Sequence, residues 1–303
     1  MQVDVCICTF RRDSVGDAIR SVLAQEVDAE VSIRIIVADN DDAPSARERV
    51  AALAEAASLP VAYLHCPARN ISVARNAALE ASEARYLAFL DDDEIADPGW
   101  IAALLRRAEE TCATVILGPV EARYADGAPR WMRRAAIHDT APVIVRGEIR
   151  TGYTCNVLID RARPEIRALR FEPALGRTGG EDTAYFTALH RIGGTIASAT
   201  DAHVREVVTP ERASFGWLAR RRFRMGQVHA RVVLGDTSDG RWRAVTLAAA
   251  KLVACGGLAL LSIPDAARRN PAILRGCLHA GVISGLVGGR MEQVYGVTGA
   301  GAR

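Results

Sequence analysis

Residues 84–100, ARYLAFLDDDEIADPGW, carry five apolar side chains from Tyr86 to Leu90 straight into Asp91, Asp92, Asp93 and Glu94. Carboxylates at Asp91 and Asp93, closing an apolar run, suit a hard divalent cation. Magnesium takes one or two protein carboxylates and completes its shell with water and substrate phosphates. An acidic loop solvated by water is the plain alternative. Favouring the cation, Arg11, Arg69 and Arg75 each follow another apolar run, and cations converging with carboxylates are what a metal-bound diphosphate requires. Asp39, in IIVADNDD, can accept the N–H of a nucleobase such as uracil, with its neighbouring acids exposed. A second acidic pair, Glu181-Asp182, follows Gly179-Gly180 where a helix opens. There it either caps the helix or, if the loop faces the metal, offers Asp182 as general base for an acceptor hydroxyl.

Regular alternation must position these groups. Apolar runs at 3–8, 31–38, 61–66, 86–90 and 114–117 read as strands. Helical spacing is predicted over 14–25, 44–57, 72–82 and 98–110, the last with Asp97 as cap and Pro98 in first position. Strands alternating with helices of this length predict a parallel sheet covered on both faces, with ligands beyond the carboxyl ends of the strands. The polar clusters sit at those ends: Thr9, Arg11 and Arg12; Asp39 to Asp42; Arg69, Asn70, Arg75 and Asn76; and the acidic quartet. Residues 121–204 read as less regular.

Charge is unevenly shared. The first 204 residues carry a formal −7, and those from Arg205 onward +9, so the C-terminal part is expected to meet an anionic surface or to be a solvated basic face. Lys251 is the sole lysine and no G-x-x-x-x-G-K-[ST] segment occurs, which argues against P-loop phosphate binding and lysine Schiff-base chemistry. Seven cysteines form no C-x-x-C pair, and Cys6 and Cys8 read as buried thiols of a reducing, cytoplasmic compartment. MQVDVCICTF lacks a basic start followed by a long apolar run, so no leader is expected before the first strand. Two apolar segments, 244–263 and 272–289, approach the ~20 residues that span a bilayer. Lys251, Arg275 and His279 interrupt them, so helices lying on a membrane or packed on the protein are expected rather than spans.

The motifs VCICTFRR, IIVADND, ARNISVARNAAL, YLAFLDDDE, TGYTCNVLIDR, GGEDTAYF and EVVTPERASFGWLARRRFRMGQ cover about residues 1–230. In this order they resemble inverting family 2 glycosyltransferases of the GT-A fold, particularly those of bacterial exopolysaccharide assembly such as succinoglycan-type glucosyltransferases. The resemblance implies a GT-A domain over 1–230, with a mostly parallel sheet flanked by helices, and a helical, membrane-associating region over 231–303. It implies nucleotide contacts from Thr9, Arg11, Asp39, Asn70, Arg75 and Asp91, and a divalent cation, magnesium or manganese, on Asp91 and Asp93, chiefly Asp93. Asp182 falls at the catalytic base, with Glu181 beside it. The expected partners are a nucleotide-sugar donor, UDP-linked; a saccharide acceptor, lipid-linked; and an anionic membrane surface on the cytoplasmic side, met by Arg220, Arg221, Arg222 and Arg224. No nucleic acid is expected.

Departures matter too. CTFR replaces the family's P-x-Y-N segment, and ARRRFRMGQ replaces the Q-x-x-R-W signature of processive synthases, which favours adding one sugar. A third metal ligand from His203 or Glu206 competes with a buried structural role for His203. Alternatives from other classes are a sugar-1-phosphate nucleotidyltransferase and a non-catalytic membrane scaffold of a polysaccharide assembly complex.

Overall fold

Alternation along the first strand, β1 (Gln2–Thr9), sends Val3, Val5 and Ile7 into one hydrophobic layer and Cys6 into another. A strand buried on both faces belongs inside a parallel sheet. The computed structural model describes residues 1–235 and 240–291. After β1 come α1 (Val15–Leu23), β2 (Ser32–Asp39), α2 (Arg47–Glu55), β3 (Val61–His65), α3 (Ile71–Ala81), β4 (Tyr86–Asp91), β5 (Glu94–Ala96), α4 (Trp100–Thr111) and β6 (Val115–Leu117). The chain continues through β7 (Val120–Tyr124), α5 (Arg130–Arg134), the short hairpin β8 (Ile144–Val145) and β9 (Glu148–Ile149), β10 (Asn156–Asp160), α6 (Pro164–Ala168), α7 (Glu181–Arg191), β11 (Ile196–Ser198) and β12 (Val204–Val208). Last are α8 (Phe215–Val228), a π-helical turn at His229–Val233, α9 (Arg241–Leu261) and α10 (Ala266–Leu286).

Two compact units result. The first comprises Met1–Glu121 with Thr140–Glu206, and the second Ala122–Asp139 with the described residues from Val207 to Met291. The boundary expected at residue 230 therefore falls inside the second unit, because α8 packs along α10.

The first unit is built on a seven-stranded sheet in the order β11-β6-β10-β4-β1-β2-β3. On one face Val15, Ile19 and Val22 of α1 and Trp100, Ile101 and Leu104 of α4 meet the odd residues of β1. On the other, Ala78 and Leu79 of α3, Phe186 and Leu189 of α7 and Phe171 meet Cys6, Ile36 and Phe89. Thus the expected mixed α/β architecture is present and the sheet is mostly parallel. One strand is not: β10 runs antiparallel between β4 and β6, inside the segment that reads as irregular. Asn156 begins it fully buried. Its Nδ2 donates to the carbonyls of Pro119 (2.9 Å) and Ala202 (2.8 Å), while its Oδ1 accepts the Trp100 indole N–H (2.7 Å). Gly118 must lack a side chain here, since a Cβ would sit 2.4 Å from the Asn156 amide.

One local expectation is corrected. α4 starts at Trp100, after Pro98 and Gly99, and its cap makes no side-chain hydrogen bond. The Asp97 carboxylate instead accepts from Arg205 at 2.8 Å, an ion pair at the β5–β12 pairing that outcompetes the cap.

In the second unit, glycines set the spacing of α8 and α10. A Cβ on Gly281 would lie 1.8 Å from the Phe223 carbonyl, and one on Gly226 2.0 Å from that of Leu278. α9 lies against α10 through a small cluster that includes Ala248, Val282 and Leu286.

Candidate active site

Strand register gathers the polar ends. Cys8 pairs with Asp91, Thr9 with Asp39 and Asp39 with His65, so β4, β1, β2 and β3 finish side by side. Four clusters scattered over 90 residues of sequence become one rim.

At that rim the acids of β4 meet cations from two directions. Arg12 donates to Asp92 Oδ1 at 3.2 Å and ion-pairs with Asp93. Thr9 Oγ1 donates to Asp92 Oδ2 at 2.7 Å. From the other side Arg75 Nη2 lies 3.8 Å from Asp91 Oδ1. Glu94 turns back inside and accepts the Asp91 backbone N–H at 3.0 Å. Arg12, rather than Arg11, is thus the main answer to the quartet. Both follow β1, and only the parallel pairing of β1 with β4 shows which one reaches.

Negative charge remains in excess. Burial pushes the Asp92 carboxyl up to about 7 against the pull of Arg12, and pushes Glu94 well above its ordinary range. Asp91 rises too, through burial and through Asp93 and Glu206, although Arg75 opposes the shift. Burial is the first cause of each shift, and neighbouring carboxylates add to it. The side chains of Asp91 and Asp93, 43 % and 20 % exposed, offer the two carboxylates that a divalent ion takes, with phosphate and water as its other ligands. Among the described residues no group of three or more His, Cys, Asp or Glu side chains is arranged to hold a metal. His203 is not the buried residue expected: its side chain is 40 % exposed, with Nδ1 3.1 Å from Glu121 Oε1.

Arg75 also reaches the second acidic pair. It sits on α3, only 7 % exposed, with Nη1 bound to Glu181 Oε1 and its guanidinium 5.6 Å above the Phe171 ring. Phe171 in turn stacks on Tyr185 of α7, with centroids 4.2 Å apart. Glu181 is buried, and that burial raises its pKa against the stabilising charge of Arg75. Its neighbour Asp182 stays partly exposed, with Oδ1 accepting from the Thr183 backbone N–H at 2.6 Å. Gly179 and Gly180, at φ +84° and +94°, allow the turn that starts α7 there, a backbone conformation open mainly to glycine.

The residues expected to meet the nucleotide divide. Asp39 is fully buried and holds the loop after β2: Oδ1 accepts Asp41 N (3.1 Å), and Oδ2 accepts Ala46 N (2.9 Å) and the Tyr63 hydroxyl (2.7 Å). Its neighbour Asp41 is buried as well, contrary to the expected exposed acids, because Arg11 Nε donates to it at 2.8 Å. Arg69 pairs with Asp42. Asn70 caps α3, accepting from Ser72 N at 3.1 Å, and its Nδ2 donates to Pro173 O at 2.9 Å. A Cβ on Gly176 would lie 1.8 Å from Asn70 Oδ1, which explains glycine there. Tyr63 and Phe171 are site-shaping residues that sequence reasoning missed. No local motif marks either one.

The four arginines of α8 are not one exposed patch. Arg220 is exposed, but Arg221 lies 5.1 Å above the Trp217 ring and Arg222 donates to Ile137 O at 3.1 Å; Arg224 is partly buried. At about 100° per residue, Arg220, Arg221 and Arg224 fall within one arc of the helix and Arg222 points away from it.

With this geometry in view, the glycosyl transferase family 2 model matches residues 4–172. The chain belongs to glycosyl transferase family 2. It is 47% identical to the succinoglycan biosynthesis protein ExoM of Rhizobium meliloti (strain 1021), over 98% of this chain and 96% of that one. The succinoglycan biosynthesis protein ExoO of the same organism is 28% identical over 64% of this chain and 58% of its own length. Among solved structures, S. aureus TarS 1-349 in complex with UDP superposes with a TM-score of 0.52 at 15% identity, covering 99% of this chain and 98% of TarS. That likeness establishes the GT-A fold. Family membership makes the chain a glycosyltransferase, which removes the nucleotidyltransferase and scaffold alternatives.

Proposed function

We propose that this glycosyltransferase moves one sugar from a UDP-linked donor to a hydroxyl of a lipid-linked saccharide, with inversion, in assembly of a succinoglycan-type exopolysaccharide. The observation that carries this reading is the single charged rim on which the β4 acids, Arg12, Arg75 and the start of α7 meet. Near-full-length similarity to ExoM supports the exopolysaccharide assignment, and the UDP complex of TarS supports the donor class. The ARRRFRMGQ segment supports transfer of one sugar rather than processive synthesis.

In this reading Asp91 and Asp93 would hold a magnesium or manganese ion, which would offset charge developing on the diphosphate. Thr9, Arg11, Asn70 and Arg75 border the nucleotide. Asp39 contributes by ordering the loop that borders the base, and a direct contact with the base requires that loop to open. Asp182 takes the proton of the acceptor hydroxyl. The acceptor oxygen attacks the anomeric carbon from the face opposite the leaving group. The bond between that carbon and the diphosphate oxygen breaks, and its electron pair leaves with the nucleoside diphosphate. The nucleophile is the acceptor's own hydroxyl, so no protein nucleophile is required. We place the enzyme on the cytoplasmic membrane face, where a lipid-linked acceptor is presented.

A panel of sugar nucleotides incubated with Mg²⁺ or Mn²⁺, with detection of released nucleoside diphosphate, tests the donor class. Release from a UDP-sugar that stops on chelation is expected. Metal-independent release, or release only from another nucleotide, overturns that part.

A further inference from the structure

α9 is apolar on the side that a soluble helix keeps polar. Its buried residues, Ala248, Cys255 and Ala259, form one narrow stripe. At 100° per residue, the opposite side carries Trp242, Leu247, Val253, Leu258, Leu260 and Leu261, which are 57–84 % exposed. An 18-residue window of this helix has a mean hydropathy of 2.0 and is only 11 % buried. The apolar surface continues past its end through Ile263, 57 % exposed. A packed surface helix should instead be polar opposite its buried stripe.

We infer that the outer face of α9 is embedded in the acyl layer of a membrane, the helix lying along the surface with α10 behind it. This rests on the membrane-borne acceptor proposed above and names the anchor. A second copy of the chain would cover a stripe, whereas the exposed side chains spread over roughly 160° of the helix. Lipid covers a broad convex face without shape matching. Trp242 and Arg243 at one end, and Lys251 at the edge of the face, can place their polar groups at headgroup level while their apolar parts stay inside. α10 holds the opposite side, so the exposed face is one-sided and the helix lies in the plane. The attachment is thus mainly apolar, whereas the expectation from sequence put the arginines first and the apolar segments beside them.

The full chain with phosphatidylcholine/phosphatidylglycerol vesicles tests it. Binding should survive 1 M salt at roughly the low-salt level, since apolar burial is not screened. A variant with Leu247→Ser, Val253→Ser, Leu258→Ser and Leu261→Ser should lose partitioning by about a hundredfold or more, while releasing nucleoside diphosphate from the donor at the unchanged rate. Brominated acyl chains should quench tryptophan emission in the wild type, and the quenched component should vanish in Trp242→Phe, which keeps the fold testable independently of the serine variant. Release by salt, equal binding of the serine variant, absence of that quenched component, or a wild-type dimer that the variant dissolves would each overturn the inference. Membrane binding as described without any donor turnover would leave the anchor standing and sink the proposed reaction.

Discussion

Arg75 joins the two acidic motifs: its guanidinium lies 3.8 Å from Asp91 Oδ1 and is bonded to Glu181 Oε1. One side chain on α3 therefore ties the end of β4 to the start of α7. Removing one partner of a buried ion pair leaves the other charge uncompensated, at about 3–5 kcal/mol. Arg75→Met should cost that much stability, and adding Glu181→Gln should recover most of it. Urea unfolding of the two single variants and the double variant measures the coupling; additive losses would show that the pair does not act as a unit.

Asp93→Asn should abolish transfer and weaken UDP binding only when Mg²⁺ or Mn²⁺ is present. Calorimetric titration with and without chelator reads this directly. Equal UDP affinity in both conditions for the wild type would count against a cation on the β4 acids.

Asp182→Asn should lower transfer by roughly 10²–10⁴-fold, the usual contribution of a positioned base. Donor affinity should hold, because proton removal belongs to the transition state. Single-turnover transfer and equilibrium donor binding separate the two effects, and a large loss of affinity would move the base elsewhere.

His138 gives the second unit a pH-sensitive stability. Its Nε2 donates to Arg212 O at 3.1 Å and its Nδ1 accepts from the Tyr124 hydroxyl at 2.8 Å, which uses the neutral ring at both ends. Burial lowers its pKa to about 4; the Arg212 carbonyl opposes this, and the charges of Arg221, Arg212 and Arg222 reinforce it. Between that value and ~6.5 the unfolded chain holds a proton that the folded one does not, so stability falls as pH drops through this window. The loss is at most ~3 kcal/mol. Thermal melts of wild type and His138→Gln from pH 7 to 4 should converge toward the acid end; parallel curves would refute the assignment.

Gly281→Val should push α8 away from α10, because a Cβ there meets the Phe223 carbonyl. Overpacking typically costs about 1–3 kcal/mol. Helical ellipticity followed through a thermal melt should show an earlier transition, and an unchanged midpoint would mean that the two helices do not need this approach.

Apart from the short β5 after β4, sequence alone determined the alternation of strand and helix through residue 117, since burial on both faces imposes continuous apolar strands and one-sided helices. It also placed Asp91, Asp93 and Asp182 at element ends, where backbone geometry leaves side chains free to converge, while Arg75 reaches them from inside α3. Tertiary structure decided which ends meet. Parallel pairing of β1 with β4 brings Arg12, not Arg11, to the acids. The antiparallel β10 could not be read locally, because its partners β4 and β6 lie 40 or more residues away in the chain. Asp39 looks free in sequence and is buried and bonded in the fold, since only the packed loop shows the Ala46 amide and the Tyr63 hydroxyl that bind its Oδ2. The run from Arg220 to Arg224 looks like one basic patch in sequence, and in the fold Arg221 lies over Trp217 while helical geometry turns Arg222 away to Ile137. Composition fixes what a segment can bury; three-dimensional neighbours decide what it does bury.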